Sequence, residues 1–219
     1  MLLFFGIFIS LSLGRYSNDP LKVLNVFLSK LGMDVPVDPM MGSIIFNVRL
    51  PRVLASVMIG AMLSLSGAVY QSVFRNPLVS PDLLGVSSGA AVGASSAILL
   101  GAGLITRQVA AFAGGILAVL ITASVPRLLR NRSNMMLVLS GIIVGGFLSS
   151  VLAIMKFMAE EQTQLASIVY WQMGSLASIL GHELAAVFPV FLVCSILLLL
   201  LSWRLNILSF GDIEAKTLG

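Results

Sequence analysis

Long apolar runs separated by short polar turns dominate the pattern along this chain. A helix rising about 1.5 Å per residue needs about 20 apolar residues to cross a hydrocarbon core of about 30 Å. The first run, residues 1–14, is short for such a crossing, and we interpret it as a clipped first helix. Five further runs contain no Asp, Glu, Lys, Arg or His and are predicted to span the membrane: residues 53–74, 84–105, 108–126, 134–155 and 184–203.

The segment 162–181 is also uncharged and long enough to span, but it is much less apolar than the five runs. It contains three Gln, three Ser and one Thr. Tyr170 and Trp171 lie together in its middle, whereas aromatic belts favour the two ends of a span. We therefore predict short helices and a turn at the outer surface here.

An amphipathic pattern occurs in the first loop, residues 15–52. One helical face holds Leu21, Leu24, Phe27, Leu28 and Leu31, while the polar residues Lys22, Asn25, Ser29 and Lys30 lie elsewhere. This pattern predicts a helix that lies in the membrane interface on the outer side, with a partner-binding role as the alternative.

Basic residues between the runs predict the orientation. The turn at 127–132 holds three arginines, the densest basic cluster between two runs, and cytoplasmic loops carry such an excess. The loop at 15–52 holds five basic residues and argues the other way, so the prediction depends on the short loops together with the family resemblance given below. In the resulting topology the N-terminus and residues 204–219 are cytoplasmic and residues 15–52 form an outer loop.

Composition supports an integral membrane protein. The chain is 58% hydrophobic and 10% charged, with a mean hydropathy of +1.04. A soluble domain has about 25% charged residues. The formal charge of +4 collects at the ends of the apolar runs, where anionic headgroups explain it, so we expect no nucleic-acid partner. The single cysteine, Cys194, excludes an intrachain disulfide and a Cys-based metal cluster.

Small residues recur at helical spacing inside the predicted spans. Removing side chains at positions i and i+4 lets helix backbones approach closely, which is how helices pack when lipid is as apolar as Leu. The pattern predicts a compact bundle and not a substrate site. It comprises Gly60 with Ser64, the set Gly85, Gly89 and Gly93, and Gly141 with Gly145.

The chain lacks the residues that several classes of enzyme and transporter require. The chain has no G-x-x-x-x-G-K-[ST] phosphate loop, so it cannot hydrolyse ATP by that route. The lone histidine, His182, is followed by Glu183; neighbours on a helix point about 100° apart, so this pair predicts a solvated helix start and no metal site. Ion-coupled carriers usually carry charged or readily protonated side chains near mid-membrane. The predicted spans contain no Asp, Glu, Lys, Arg or His. We expect no cofactor, and an energy source in another subunit.

Five sequence segments resemble, in the same order, the permease subunits of ABC importers for iron chelates, haem and vitamin B12, the FecCD type of type II importer. Permeases that this chain resembles have about ten membrane-spanning helices, about six of which this chain would hold. The resemblance therefore implies an all-α polytopic helical bundle and a chain truncated at the C-terminus, in one transmembrane domain over residues 1–219. The segments are VRLPRVLA at 48–55, SGAVYQ at 66–71, RNPLVSPDLLGVSSG at 75–89, WQMGSL at 171–176 and LNILSFGDIEAKTLG at 205–219.

The resemblance also implies two sites near the membrane surfaces. Arg49 matches an outward arginine that pairs with a carboxylate of the substrate-binding protein, and Arg52 lies one helical turn away; snorkelling to headgroups is the alternative for Arg52. Asn76 and Leu78 match a turn that narrows the cytoplasmic mouth. Ser133 and Asn134 match a second constriction of this mouth. Alternatively, helix capping alone explains why these two residues stand here.

The third implied site is the C-terminal segment, residues 204–219. Asn206, Ser209 and Gly211-Asp212 are expected to break it into short helices after Trp203. The segment resembles the coupling helices that contact the ATPase. Its matching positions are Leu208, Gly211, Asp212, Glu214, Ala215 and Gly219.

The resulting hypothesis is a non-enzymatic permease subunit in a prokaryotic cytoplasmic membrane. The implied partners are cytoplasmic ABC ATPase subunits, an extracytoplasmic substrate-binding protein, a second permease subunit and membrane lipid. A ferric siderophore is the first candidate cargo, followed by haem and vitamin B12. The alternatives are a secondary, ion-coupled transporter, which would need a coupling carboxylate, and a non-transporting membrane adaptor, which would leave the gate motifs unexplained.

Overall fold

The computed structural model describes residues 1–14, 19–77, 79–130, 133–177 and 179–210, with side chains as far as residue 205. Helices and connecting turns account for this part of the chain, which confirms the predicted all-α class. The α-helices are α1 Leu2–Ser12, α2 Pro20–Lys30, α3 Pro39–Ile44, α4 Leu50–Phe74, α5 Val86–Leu99, α6 Leu104–Leu128, α7 Asn134–Met158, α8 Ala166–Met173 and α9 Gly181–Phe210.

Four helical stretches are long and apolar enough to cross a membrane: Pro39–Phe74, Leu104–Leu128, Asn134–Met158 and Gly181–Leu205. Each contains one of the predicted spans. The other two predicted spans correspond to the shorter apolar helices α1 and α5, of 11 and 14 residues. At about 1.5 Å per residue these two rise only about 17 and 21 Å. The polytopic helical bundle predicted from the sequence is thus confirmed.

The first long stretch begins earlier than predicted. We expected a loop as far as residue 52, but α3 and a π-helical turn, Ile45–Arg49, lead directly into α4. Asp38 starts α3 by accepting a 3.0 Å hydrogen bond from the Met40 amide, and Pro39 occupies the first helical turn. Proline is favoured there because its missing N–H is not needed. The resulting 36 residues rise about 54 Å, more than the hydrocarbon core requires.

The last helix ends later than predicted. The expected break into short helices after Trp203 is wrong as far as the structure describes the segment, because α9 continues to Phe210. Asn206 and Ser209 each cost at most about 0.7 kcal/mol in a helix, and no Gly or Pro intervenes before Gly211. By contrast, the short helices and turn predicted for 162–181 are confirmed by a π-helical turn at Glu161–Leu165 and by α8.

The described residues form two compact units, of which the first comprises Met1–Leu65 and Leu176–Leu201. Its core contains Leu11, Val23, Val26, Met41, Ile45 and Val53, which come from α1, α2, α3, the π-helical turn and the start of α4. The predicted helix at 21–31 is present as α2. Val23 and Val26 are its buried side, whereas Leu21, Leu24 and Leu31 of the predicted membrane face are exposed.

The second unit contains Ser66–Ser175 and the residues from Ser202 onwards. Helix α5 packs against both α6 and α7, and its contact with α6 depends on glycine. A Cβ built on Gly93 would lie 2.8 Å from the Ala110 carbonyl carbon and 3.2 Å from the Ala111 Cα. Gly89 and Gly114 similarly face each other's backbone. The predicted packing role therefore holds for Gly89 and Gly93, whereas a Cβ on Gly60 would have no described neighbour within 4 Å.

This difference between glycines predicts opposite effects of the same substitution. Gly93→Ala should lower the melting temperature measured in detergent, because overpacking costs about 1–3 kcal/mol and alanine gains only about 1 kcal/mol over glycine in a helix. The matched control, Gly60→Ala, should leave the melting temperature unchanged or raise it. Equal melting temperatures for the two variants would contradict the α5–α6 contact.

Candidate functional site

The turn after α4 is closed by its own polar groups. Arg75 has a positive φ of 51°, and the Asn76 amide donates a 3.2 Å hydrogen bond to the Gln71 carbonyl. A residue with positive φ after the last helical turn is a common way to end a helix. The Gln71 side chain donates from Nε2 to the Pro77 carbonyl at 3.0 Å, which ties the turn back to α4.

The following segment, Pro81–Leu84, is a 3₁₀ turn that lies against α6 and α7. Thr122 of α6 is fully buried and donates a 3.1 Å hydrogen bond to the Leu84 carbonyl. On α7, Gly141 lies so close to the Leu83 carbonyl that a side chain at this position would collide with that backbone. Gly85 then adopts φ 74°, a conformation that glycine reaches without strain, and α5 begins. The motif residues therefore fix the junction in place.

The predicted gate residues lie at two helix ends that the structure brings together. Asn134 Nδ2 at the start of α7 lies 3.5 Å from the Val73 carbonyl at the end of α4. Ser133 is the N-cap of α7, where its Oγ accepts a 3.2 Å hydrogen bond from the Met136 amide. Asn76, Ser133 and Asn134 are exposed. Leu78 lies outside the described residues.

The two arginines predicted to dock a binding protein contact backbone carbonyls in the first unit. Arg49 Nη1 donates a 2.7 Å hydrogen bond to the Leu11 carbonyl in the last turn of α1. Arg52 Nη2 donates to the Ala177 carbonyl in the segment before α9. Both side chains are half-buried. Each arginine therefore has a structural contact besides any role towards a partner.

Most of the predicted coupling site lies beyond the described residues. Leu208 belongs to α9, but its side chain is not described. The positions Gly211, Asp212, Glu214, Ala215 and Gly219 fall outside the described part of the chain. Their contact with an ATPase stays a prediction.

Polar chemistry is sparse in the described residues. No group of three or more His, Cys, Asp or Glu side chains converges there to hold a metal ion. A groove of about 400 Å³ beside α5 and α6 is lined by apolar residues, including Phe112, Ile116 and Trp171. Such a surface offers no hydrogen bond to a polar ligand. Long apolar helices and close glycine contacts define the class as a polytopic helical membrane protein.

Comparison with known proteins places the chain within that class. The model of the FecCD transport family matches residues 2–219, and the chain belongs to this family. A solved inward-facing structure assigned to the metal-chelate type of ABC transporter superimposes with a TM-score of 0.81 at 40% identity. That match covers 100% of this chain and 65% of the solved chain.

Relatives with curated names are permease proteins for different cargoes. The molybdate import system permease protein MolB of Haemophilus influenzae is 42% identical over 96% of this chain. A Helicobacter pylori protein named "Probable iron chelatin transport system permease protein" is 40% identical over 96% of this chain. The vitamin B12 import system permease protein BtuC of Escherichia coli is 36% identical over 80%. This chain spans 62% of the length of the first two and 53% of the third.

Sequence reasoning located the motif turns but missed the residues that hold them. Gln71, Thr122 and Gly141 hold the junction, and the Leu11 and Ala177 carbonyls hold the two arginines. A backbone carbonyl carries no sequence signal. Thr122 does carry a weak one, because it is a polar residue in an otherwise apolar run.

The N-cap geometry of Ser133 generates a prediction about the contribution of helix capping to stability. Ser133→Ala should destabilise the protein by about 1 kcal/mol, because the Met136 amide loses its partner, and should lower the melting temperature. Ser133→Asp preserves a cap oxygen and should melt like the wild type. An unchanged melting temperature for Ser133→Ala would show that the cap does not contribute.

Proposed function

We propose that this chain supplies membrane-spanning helices of the permease in an ATP-driven importer. The family match over residues 2–219 is the observation that carries the proposal. The sequence contains no nucleotide-binding loop, so hydrolysis falls to separate ATPase subunits. A substrate-binding protein outside the cell membrane, a second permease subunit and a cytoplasmic membrane with the N-terminus inside complete the proposal.

The cargo we propose first is an iron chelate. Support comes from the iron chelatin name of the Helicobacter pylori relative and from the metal-chelate type of the solved structure, each at 40% identity. Molybdate is the second candidate, because the relative named for it is 42% identical over 96% of this chain. A difference of two percentage points in sequence identity does not distinguish an iron chelate from molybdate as the cargo. Uptake measurements are needed to rank the two candidates.

The role proposed for each residue depends on the helix end at which it lies. Arg49 and Arg52 precede and begin α4 on the proposed outer side, where they would meet acidic residues of the binding protein. Asn76, Ser133 and Asn134 lie at the opposite helix ends and would narrow the cytoplasmic mouth. The 3.5 Å approach of Asn134 to the Val73 carbonyl supports this, since it brings the two predicted constrictions to one place. The residues after Phe210 would contact the ATPase.

The energy source and the cargo can be tested in cells that carry the complete importer. Uptake of a radiolabelled ferric chelate should require the partner ATPase, and it should continue when an uncoupler collapses the proton gradient while ATP is maintained. Radiolabelled molybdate and vitamin B12 serve as parallel cargoes in the same cells. If the uncoupler abolishes uptake at constant ATP, the protein is not part of an ATP-driven importer. If the cells take up molybdate but not the ferric chelate, molybdate replaces the chelate as the proposed cargo.

The docking role of Arg49 predicts a charge-dependent interaction. Arg49→Glu in the complete protein should slow association with the binding protein by about tenfold at low salt, because charges at an interface rim act mainly on the association rate. The loss should shrink as added salt shortens the Debye length below about 8 Å.

Arg107→Glu is the matched control for this variant. Arg107 is also half-buried, donates to the Ala102 carbonyl at 2.8 Å and lies on the same predicted outer side. It should bind normally in a surface plasmon resonance measurement on nanodiscs. Normal binding of Arg49→Glu at low salt, or equal losses for both variants, would show that Arg49 has no specific docking role.

A further inference from the structure

The C-terminal end of α1 surrounds the Arg49 side chain. Helix α1 ends at Ser12, and the last carbonyls of a helix have no partner within it. The Leu11 carbonyl obtains one from Arg49 Nη1, at 2.7 Å. The guanidinium therefore lies at the negative end of the α1 dipole, where a cation is favoured.

Gly14 is the position that makes room for this arrangement. A Cβ built on Gly14 would lie 2.9 Å from Arg49 Nε and still closer to Cζ and Nη2. Any side chain here would overlap the guanidinium. Gly6, within α1, has no described atom within 4 Å of the corresponding position. The absence of a side chain thus matters at Gly14 and not at Gly6.

The end of α1 is firmly held. Leu11 and Ser12 are only 3% and 5% exposed, and Leu11 belongs to the core that includes Val23, Val26 and Ile45. Ser12 Oγ donates a 2.9 Å hydrogen bond to the Phe8 carbonyl. The carbonyl that binds Arg49 is therefore attached to a packed segment and is not part of a loose chain end.

We propose that the end of α1 is a cradle that pre-positions Arg49 for the binding protein, with Gly14 as the positioning residue. The inference rests on the proposed docking role of Arg49. A guanidinium carries five N–H donors in a fixed fork, and the bond to Leu11 uses one of them while it sets the direction of the fork. An arginine ordered before docking loses less side-chain entropy when it meets a carboxylate.

Gly14→Ala tests the cradle in the complete protein. The backbone of Gly14 does not have the positive φ that would exclude alanine, and the atoms that must move are the end of a flexible side chain. The variant should therefore fold, with a melting temperature like that of the wild type, but with Arg49 displaced. Docking of the binding protein should weaken about threefold to tenfold, the range expected for one side chain that has to be ordered on binding.

Three further variants make the result specific. Gly6→Ala, the matched control, should bind like the wild type. Arg49→Ala should weaken docking. The double variant Gly14→Ala/Arg49→Ala should bind no more weakly than Arg49→Ala alone, because a positioning residue acts only through the group it positions.

The outcomes separate this inference from the proposal on which it rests. If the Arg49→Ala variant docks the binding protein normally, the proposed docking role of Arg49 is wrong, and the proposed cradle is wrong as well. If Arg49→Ala weakens docking but Gly14→Ala binds normally or more tightly, the docking role stands and the cradle is wrong. A Gly14→Ala effect that persists in the Arg49→Ala background would likewise overturn the cradle, as would a variant that no longer folds while the Gly6→Ala control does.

Discussion

The need to pair every backbone N–H and C=O away from water is the constraint on which this structure depends. In a hydrocarbon core only a helix meets that need within one segment, so each long apolar run becomes a helix. Lipid then supplies no hydrophobic force to press helices together, and association depends on close packing. Gly89 and Gly93 of α5 answer this second requirement, because their missing side chains let α6 approach backbone to backbone.

The same constraint governs the helix ends, where carbonyls lack intrahelical partners. Arg49 and Arg52 donate to backbone carbonyls, as do other side chains at turns and helix ends, so residues proposed to act on a partner also hold the protein together. A loss of transport on truncating one of them therefore does not identify its role, whereas a variant that keeps the bond does. The donor and acceptor pairs are Arg49 with Leu11, Arg52 with Ala177, Gln71 with Pro77, Arg107 with Ala102 and Thr122 with Leu84.

Apolar run length predicted where helices exist, and local competition decided where they end. Asp38-Pro39 starts a helix well before the apolar run at 53–74, because capping acts without regard to hydropathy. Asn206 and Ser209 failed to end α9, since their helix penalties are small. Packing against α1 buries Val23 and Val26 of α2, a contact that the sequence pattern did not predict. Motif positions were found from sequence, but their carbonyl partners depend on the fold alone.

The relatives show what sequence identity measures in this family. Proteins named for molybdate, an iron chelatin and vitamin B12 are 42%, 40% and 36% identical to this chain, although these cargoes differ greatly in size and charge. Identity therefore follows the helical framework more closely than the cargo. The described residues agree with this, since their groove is lined by apolar residues. We expect cargo choice to depend on a few side chains and on the binding protein, which gives the proposed contact of Arg49 with that partner a direct bearing on transport.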